Sequence, residues 1–507
     1  MDELGCGKFI RPGAAMKGSL TRSVMRGAAL TFGSRAGLML ANIIALGITA
    51  RLISPAEFGR FTVIQLLIGI LGVFPYAVGQ ALIRIESKGA AGTGLAIVGL
   101  LALTADLLVL ALVPVIEQFF GIVISGTELS LVLLTIPLLF LSFLADALVR
   151  KNLKFGAATF AETGSQGVGL YFLTCLLALL GFGPLSLLIG LVVQAGLWLA
   201  FLCMSGLFGL IDAPTREAIR GYKDAAWFSL MGCASYVALN GDNYVVGRTM
   251  DAAALGIYSR AYNLMNKPVN LIGASISNVF YPAVVELRGD RQRLKAAYMK
   301  ATTAAAFLAL PGAALAFLFS AVLVKIVLGD GWTSAIVPFQ ILSIGLFFRV
   351  HVKVAEAVAF AASNVLSSFW RQVVFAIAVI FASALGSRYG LAGVTALVVV
   401  AIAAFHALIV ALANKQTQTS ILEWVVCMTA PVAITATALL CSIALPSKYF
   451  DGSMFVHAIM QGTIFALVFG CGVVITLLVW PSSQLGSLLA PLTRHLPIKR
   501  FMPPRAT

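Results

Sequence analysis

Residues 51–61 read RLISPAEFGRF, and residues 248–258 read RTMDAAALGIY. Each runs Arg, seven residues, Gly, one residue and then an aromatic ring, and the two copies lie 197 residues apart. Around them the chain is apolar, so each copy is an interruption where charge, Pro or Gly breaks a greasy run. One copy reads as a turn between two membrane-spanning helices. Two predict that the chain repeats a unit.

The 507 residues are 60% hydrophobic and only 11% charged, with mean hydropathy +0.98. A soluble domain carries about 25% charge, so the composition predicts an integral membrane protein. Net charge is +15. In such a chain a positive surplus marks loops held on the cytoplasmic side, next to anionic headgroups; nucleic-acid binding is not expected. The seven cysteines form no CxxC pair and mostly sit in apolar runs, where they act as small hydrophobes. The four histidines show no ligand spacing, so neither a metal site nor another cofactor is expected.

About 20 apolar residues cross a bilayer. Candidate spans are 27–50, 58–83, 92–115, 127–149, 156–180, 184–210, 224–247, 254–284, 299–324, 334–360, 363–385, 389–413, 421–445 and 455–480, about 14 in all. The first is too long for a cleaved signal core. None alternates with period two, which disfavours a membrane β-barrel. Gly, Ala and Ser recur within the spans and let helices approach closely. The segment LRGDRQRLKAAYMK, 287–300, reads as a short amphipathic surface helix.

With the N-terminus inside, 23 Lys and Arg fall on inner segments and six on outer ones. That bias predicts cytoplasmic termini and an even number of spans. The repeated turn then joins spans one and two, and again spans seven and eight. Six spans separate the copies, so the halves keep one orientation and form parallel repeats. A second pair, FGPLS at 182–186 and YGLAG at 389–393, lies 207 residues apart at matching places. The expected organisation is a basic segment 1–26, a first lobe 27–210, a linker 211–223, a second lobe 224–413, extra helices 421–480 and a tail 481–507. The fold class is all-α membrane protein. Two facing six-helix bundles can enclose a cavity and rock to expose it on either side.

RLISPAEFGRF, the segment NGDNYVVGRTMDAAALGIYSRAYNLMNKPV at 240–269, RKNLKF at 150–155 and YGLAGV at 389–394 carry a family likeness. On these the chain resembles the Wzx-like polysaccharide flippases of the multidrug/oligosaccharidyl-lipid/polysaccharide exporter superfamily. The resemblance implies two six-helix lobes plus two further helices, a V-shaped central cavity and alternating access. It also implies a bacterial inner-membrane location and undecaprenyl-diphosphate-linked sugar units as cargo.

Ionisable groups inside spans are expensive and usually face water. In span eight Arg260, Asn263, Lys267, Asn270 and Ser277 share one helical face, which Pro268 can bend. They read as a cationic, polar cavity wall, although Arg260 is also placed to reach the interface. In span ten Arg349, Lys353 and Glu356 share a face; Glu356 can neutralise Lys353, and His351 points elsewhere. Span one adds Arg35. Guanidinium forks and ammonium groups in a low-dielectric cavity suit a diphosphate. Asp106, Glu162 and Asp242 are candidates for coupling to H⁺ or Na⁺, while Asp146 pairs with Arg150 four residues on.

The leading expectation is therefore a flippase that moves a lipid-linked oligosaccharide without chemistry, for exopolysaccharide or lipopolysaccharide assembly, beside membrane lipids and a polymerase or export machinery. Two alternatives share the architecture: a drug/cation antiporter and a flippase for the peptidoglycan precursor. The basic stripe of span eight argues against the antiporter. A membrane glycosyltransferase or polymerase would want a sizeable outer loop or a carboxylate cluster, and the sequence shows neither.

Overall fold

A computed structural model of the chain describes residue 33 and residues 37–479, apart from 207, 208, 210, 363, 364 and 445–453. Helix α1 covers Gly37–Leu52, α2 Pro55–Arg84, α3 Ala90–Phe120 and α4 Gly126–Lys151. Helix α5 runs as Phe155–Ser165, passes through a π-helical stretch Gln166–Leu173 and finishes as Thr174–Leu179. Then follow α6 Leu185–Met204, α7 Lys223–Thr249, α8 Ala252–Glu286 and α9 Arg291–Leu318. Helices α10 Ile336–Ala362, α11 Val365–Gly386, α12 Gly390–Thr417, α13 Ile421–Ala444 and α14 Met454–Val479 complete the series. No β-strand occurs among the described residues.

The repeated motif is a helix–cap–helix turn. Ser54 caps α2 in a reciprocal capping box with Glu57, and Asp251, 197 residues on, caps α8 by accepting from the Ala254 N–H at 2.7 Å. Short polar side chains there satisfy amides that the first turn leaves without partners. Pro55 fits the first position of α2 because its missing N–H has no bond to lose.

Packing repeats as well. In the first half α2 lies on α4, α3 on α4, α4 on α6 and α5 on α6; in the second α8 lies on α10, α9 on α10, α10 on α12 and α11 on α12. The halves meet where α2 crosses α7 and α8. Their contact is reciprocal under the 197-residue shift. A Cβ on Gly59 would lie 1.7 Å from the Ala252 carbonyl oxygen, and one on Gly256 would lie 1.9 Å from that of Pro55. Thr62 and Ser259, again 197 apart, touch hydroxyl to hydroxyl at 3.0 Å. Two copies of one turn thus face each other across an approximate twofold axis, and only glycine permits the approach.

The same end is sealed by two further crossings. Arg51 at the end of α1 donates to the Ile326 carbonyl at 2.6 Å, and Trp332 Nε1 donates to Ala50 at 2.7 Å. At the end of α7 Arg248 lies over the Phe119 ring at 5.3 Å, and Gly247 abuts Phe120. Helix α13 packs on α9, and α14 on α13.

Nine stretches among the described residues are long and apolar enough to cross a bilayer, one of them, Ser367–Thr417, holding both α11 and α12. Helix α7 is not among them, because Asn240, Asp242, Asn243 and Arg248 interrupt its apolar run. This is an all-α membrane protein. One local expectation fails: 287–300 does not form a separate surface helix. A 3-10 turn at Leu287–Gly289 leads to Asp290, whose side chain caps α9, and Arg291 opens a continuous helix to Leu318.

Candidate functional site

Polar faces of α2, α7, α8 and α10, closed by side chains of α11 and α12, enclose a chamber of about 640 Å³. Its walls are rich in amides: Gln65 on α2, Asn240 and Asn243 on α7, Asn263, Asn266 and Asn270 on α8, and Gln372 on α11. Arg260, Arg349, Lys353 and Glu356 line it too.

The cations differ in how they are held. The Arg349 guanidinium lies over the Tyr262 ring at 4.6 Å and donates to its hydroxyl at 2.5 Å, while its buried Nε has no acceptor among the described residues. Arg260 is 9% exposed, stacks on Phe58 at 4.9 Å, and its buried Nε likewise has no acceptor among the described residues. Stacking on aromatic faces holds a guanidinium without consuming its in-plane donors. Lys353 instead pairs with Glu356 at 3.0 Å. The chamber is thus lined by two guanidinium groups stacked on aromatic rings and by one balanced pair.

Asp242 does not line the chamber; it lies behind the wall, 1% exposed. Tyr258 donates to its Oδ2 at 2.7 Å, and Asn243 donates to Oδ1 from the backbone at 2.8 Å and the side chain at 3.1 Å. Such a carboxylate fixes the α7–α8 corner. On the far side of α10 from Arg349, His351 and His406 form a buried pair with ring nitrogens 2.8 Å apart.

Lys267 lies elsewhere than in the main chamber. It faces a second cavity of about 380 Å³ bounded by Leu38, Met39 and Asn42 of α1, Arg150 of α4, several residues of α5, and Asn270. Asn270 borders both cavities, so they adjoin there. Arg150 and Glu162 also border a third cavity of about 370 Å³ among α2, α4, α5 and α6, with Gln80, Asp146 and Trp198. Of the sequence candidates, Arg260, Asn263, Asn270, Arg349 and Lys353 meet in the chamber, while Lys267 and Glu162 meet in the second cavity. Asp106, on α3, borders none of the three. Arg35 and the side chain of Ser277 lie outside the described residues.

Sequence reasoning missed Gln65, Asn266, Tyr262 and the exposure of Arg150 to two cavities. Gln65 carried a signal: with Thr62 three residues before, it is a polar pair in an otherwise apolar α2. Tyr262 did not, since an aromatic beside the stripe reads as core.

Residues 48–338 match the family described as polysaccharide biosynthesis protein. The chain belongs to that family. Among curated relatives, the lipopolysaccharide biosynthesis protein WzxC of Escherichia coli K12 is 22% identical over 315 residues, covering 60% of this chain and 62% of that protein. The succinoglycan biosynthesis transport protein ExoT of Rhizobium meliloti is 27% identical over 303 residues, 57% of this chain and 59% of that one. The matches thus span about three fifths of these relatives. A putative O-antigen transporter of Shigella flexneri is 23% identical over 331 residues, 61% of this chain and 77% of that one. In three dimensions this polysaccharide biosynthesis family member resembles the lipid II flippase MurJ in an inward closed conformation. The TM-score is 0.72 at 16% identity, covering 89% of this chain and 99% of that one. A multidrug resistance MATE family transporter of the MOP superfamily, inward-facing, follows at TM-score 0.57 and 16% identity, covering 76% and 94%. At such identity these two speak for the fold alone.

Proposed function

We propose that this protein is an alternating-access flippase that moves undecaprenyl-diphosphate-linked oligosaccharide units across a bacterial inner membrane for exopolysaccharide or lipopolysaccharide assembly. The observation that carries the reading is the pairing of two cation types with an amide-lined chamber. Arg260 and Arg349 line the chamber, Lys267 faces the adjoining cavity, and Asn263, Asn266 and Asn270 stand between them on α8. Amides exchange hydrogen bonds with sugar hydroxyls in both directions, and the cations suit the diphosphate. Family membership and the likeness to the lipopolysaccharide biosynthesis protein WzxC, the succinoglycan transport protein ExoT and the putative O-antigen transporter support it. The second cavity, between α1, α5 and α8, suits a lateral opening through which the polyprenyl tail stays in lipid.

In this reading both termini are cytoplasmic, and the sealed end carrying Arg51 and Arg248 faces outward. The duplicated lobes are 27–210 and 224–413. Cargo moves without a bond being made or broken, and H⁺ or Na⁺ supplies the coupling. The test is reconstitution. Proteoliposomes holding the full chain and a fluorescent lipid-linked oligosaccharide expose the label to a membrane-impermeant quencher as it changes leaflet. Accelerated exchange over protein-free vesicles supports the proposal; exchange at the protein-free rate refutes it. In cells, deletion traps the sugar-linked lipid on the cytoplasmic leaflet.

A further inference from the structure

The second cavity holds a cation shared between two internal anions, where the chamber has the single pair Lys353–Glu356. Arg150 closes α4, with Nε 2.6 Å from Asp146 Oδ2 and Nη2 3.1 Å from Glu162 Oε2. Its Nη1 makes no bond among the described residues, and neither does the Lys267 ammonium in the same cavity. Thr163, Gln166, Asn270 and Asn42 add hydroxyl and amide donors to the lining. The two acids are not equivalent. Asp146 faces the third cavity and grips Arg150 one turn away on its own helix. Glu162 borders both cavities, reaches Arg150 from α5, and its side chain is 43% exposed. Helix α5 leaves α-geometry at Gln166, the residue one turn beyond Glu162. Such π-helical turns concentrate where a helix is adapted to a site.

We propose that this cavity is a diphosphate subsite in which Glu162 competes with the phosphate for Arg150. The proposal rests on the reading of a diphosphate-bearing lipid as cargo and adds residues to it. When the diphosphate enters beside Lys267, its oxygens take the Arg150 fork from Glu162, while Asp146 keeps the guanidinium oriented through Nε. When the diphosphate leaves, Glu162 returns to Arg150 and closes the vacancy. Asp146 is thus a positioning residue, Lys267 and Arg150 are the anion ligands, and Glu162 sets how readily the anion is released. Without it, Lys267 and an Arg150 held by Asp146 alone would grip a diphosphate too firmly to deliver it.

The experiment measures binding of undecaprenyl diphosphate to the full-length protein in nanodiscs, alongside free inorganic pyrophosphate, and flipping of the lipid-linked oligosaccharide in proteoliposomes. Removing an ion-pair competitor that is partly screened is worth about fivefold in affinity. Glu162→Gln is expected to bind undecaprenyl diphosphate about fivefold more tightly and to flip more slowly at saturation. Arg150→Gln is expected to weaken binding, and adding Glu162→Gln to it is expected to bring no gain. A merely structural Glu162 would lower binding and melting temperature together, so an unchanged melting temperature accompanies the expected result. Unchanged or weaker binding by Glu162→Gln, or a gain that persists without Arg150, overturns the exchange. If free pyrophosphate reproduces the pattern, the subsite reads the diphosphate itself; if only the lipid does, it reads the diphosphate at the membrane. Both outcomes support the subsite. Wild-type protein that binds neither probe overturns this proposal together with the cargo reading, whereas wild-type binding without the Glu162 effect overturns this proposal alone.

Discussion

Gly256→Ala is the sharpest test of the reciprocal contact. The new methyl carbon would sit 1.9 Å from the Pro55 carbonyl oxygen and 3.0 Å from the Gly59 amide nitrogen. Both are backbone atoms at the capped start of α2, so neither has a rotamer to yield. Relief needs the two turns to separate by more than about 1 Å, and overpacking of this kind typically costs 1–3 kcal/mol. The cost falls on the closed arrangement of the repeat end and vanishes when the halves part, so it appears as a population shift. An energy difference of about 1–3 kcal/mol corresponds to roughly 5- to 150-fold. The assay is a disulfide between Thr62→Cys and Ser259→Cys, whose native hydroxyls are 3.0 Å apart. Oxidation for a fixed short time is followed by mass spectrometry. The parent pair is expected to link readily, and adding Gly256→Ala is expected to cut the linked fraction at least fivefold. Gly99→Ala on α3, where a Cβ meets nothing within 4 Å, is the matched control. Linking undiminished by Gly256→Ala, in protein that melts normally, would refute the claim that this contact is close-packed and holds that end shut.

Lys267→Ala and Arg349→Ala are each expected to reduce polymer export about tenfold or more at normal membrane abundance, because charge-assisted hydrogen bonds contribute roughly 1.5–3 kcal/mol; normal output from both contradicts their assignment to the cargo site. Tyr258→Phe removes the donor to Asp242 Oδ2 and leaves a buried carboxylate short of one partner. A loss of about 1–3 kcal/mol follows, seen as a lower melting temperature in detergent; an unchanged melting temperature would mean that the bond contributes nothing.

The fold was legible because its signals are local or periodic. Apolar runs of bilayer length and the paired Arg–Gly–aromatic turns stand out without any knowledge of contacts, and the caps Ser54 and Asp251 fall where the repeat predicts. The polar stripe on α8 was legible for the same reason, since helical spacing alone puts Arg260, Asn263 and Asn270 on one face. What sequence spacing does not reveal is which cavity a face meets. Lys267 lies on that stripe one turn from Asn263, yet it faces the second cavity, while Asn266 and Val269 beside it face the chamber and Asn270 borders both. Nor does spacing give partners on other helices. Asp146 and Arg150 were readable as an i,i+4 pair, but the Glu162 bond spans twelve residues and a turn of the chain. Arg349 shows the same limit: its resting place is an aromatic ring on α8, 87 residues away.

Duplication also explains why the closed end is built from backbone and glycine rather than from charge. In a contact between two copies of one turn, each residue tends to meet its own equivalent, so a charged residue near the axis would face its own sign. Thr62 and Ser259 avoid this, because a hydroxyl both donates and accepts and two of them can always pair. Arg51 and Arg248, also equivalent, are turned away from each other: Arg51 onto the carbonyl of Ile326, Arg248 onto the ring of Phe119. Arg260 can then line the chamber without its own sign facing it across the axis, since position 63, its equivalent, is Val63. Charge is not matched between the two turns, since Glu57 and Arg60 correspond to Ala254 and Ile257, but Arg60 is turned onto Glu128 within its own half. On the proposed alternating-access reading the contact between the turns parts readily, because hydroxyl pairing and close backbone packing are short-ranged and vanish within a small separation, whereas an ion pair would pull over a long distance and resist opening.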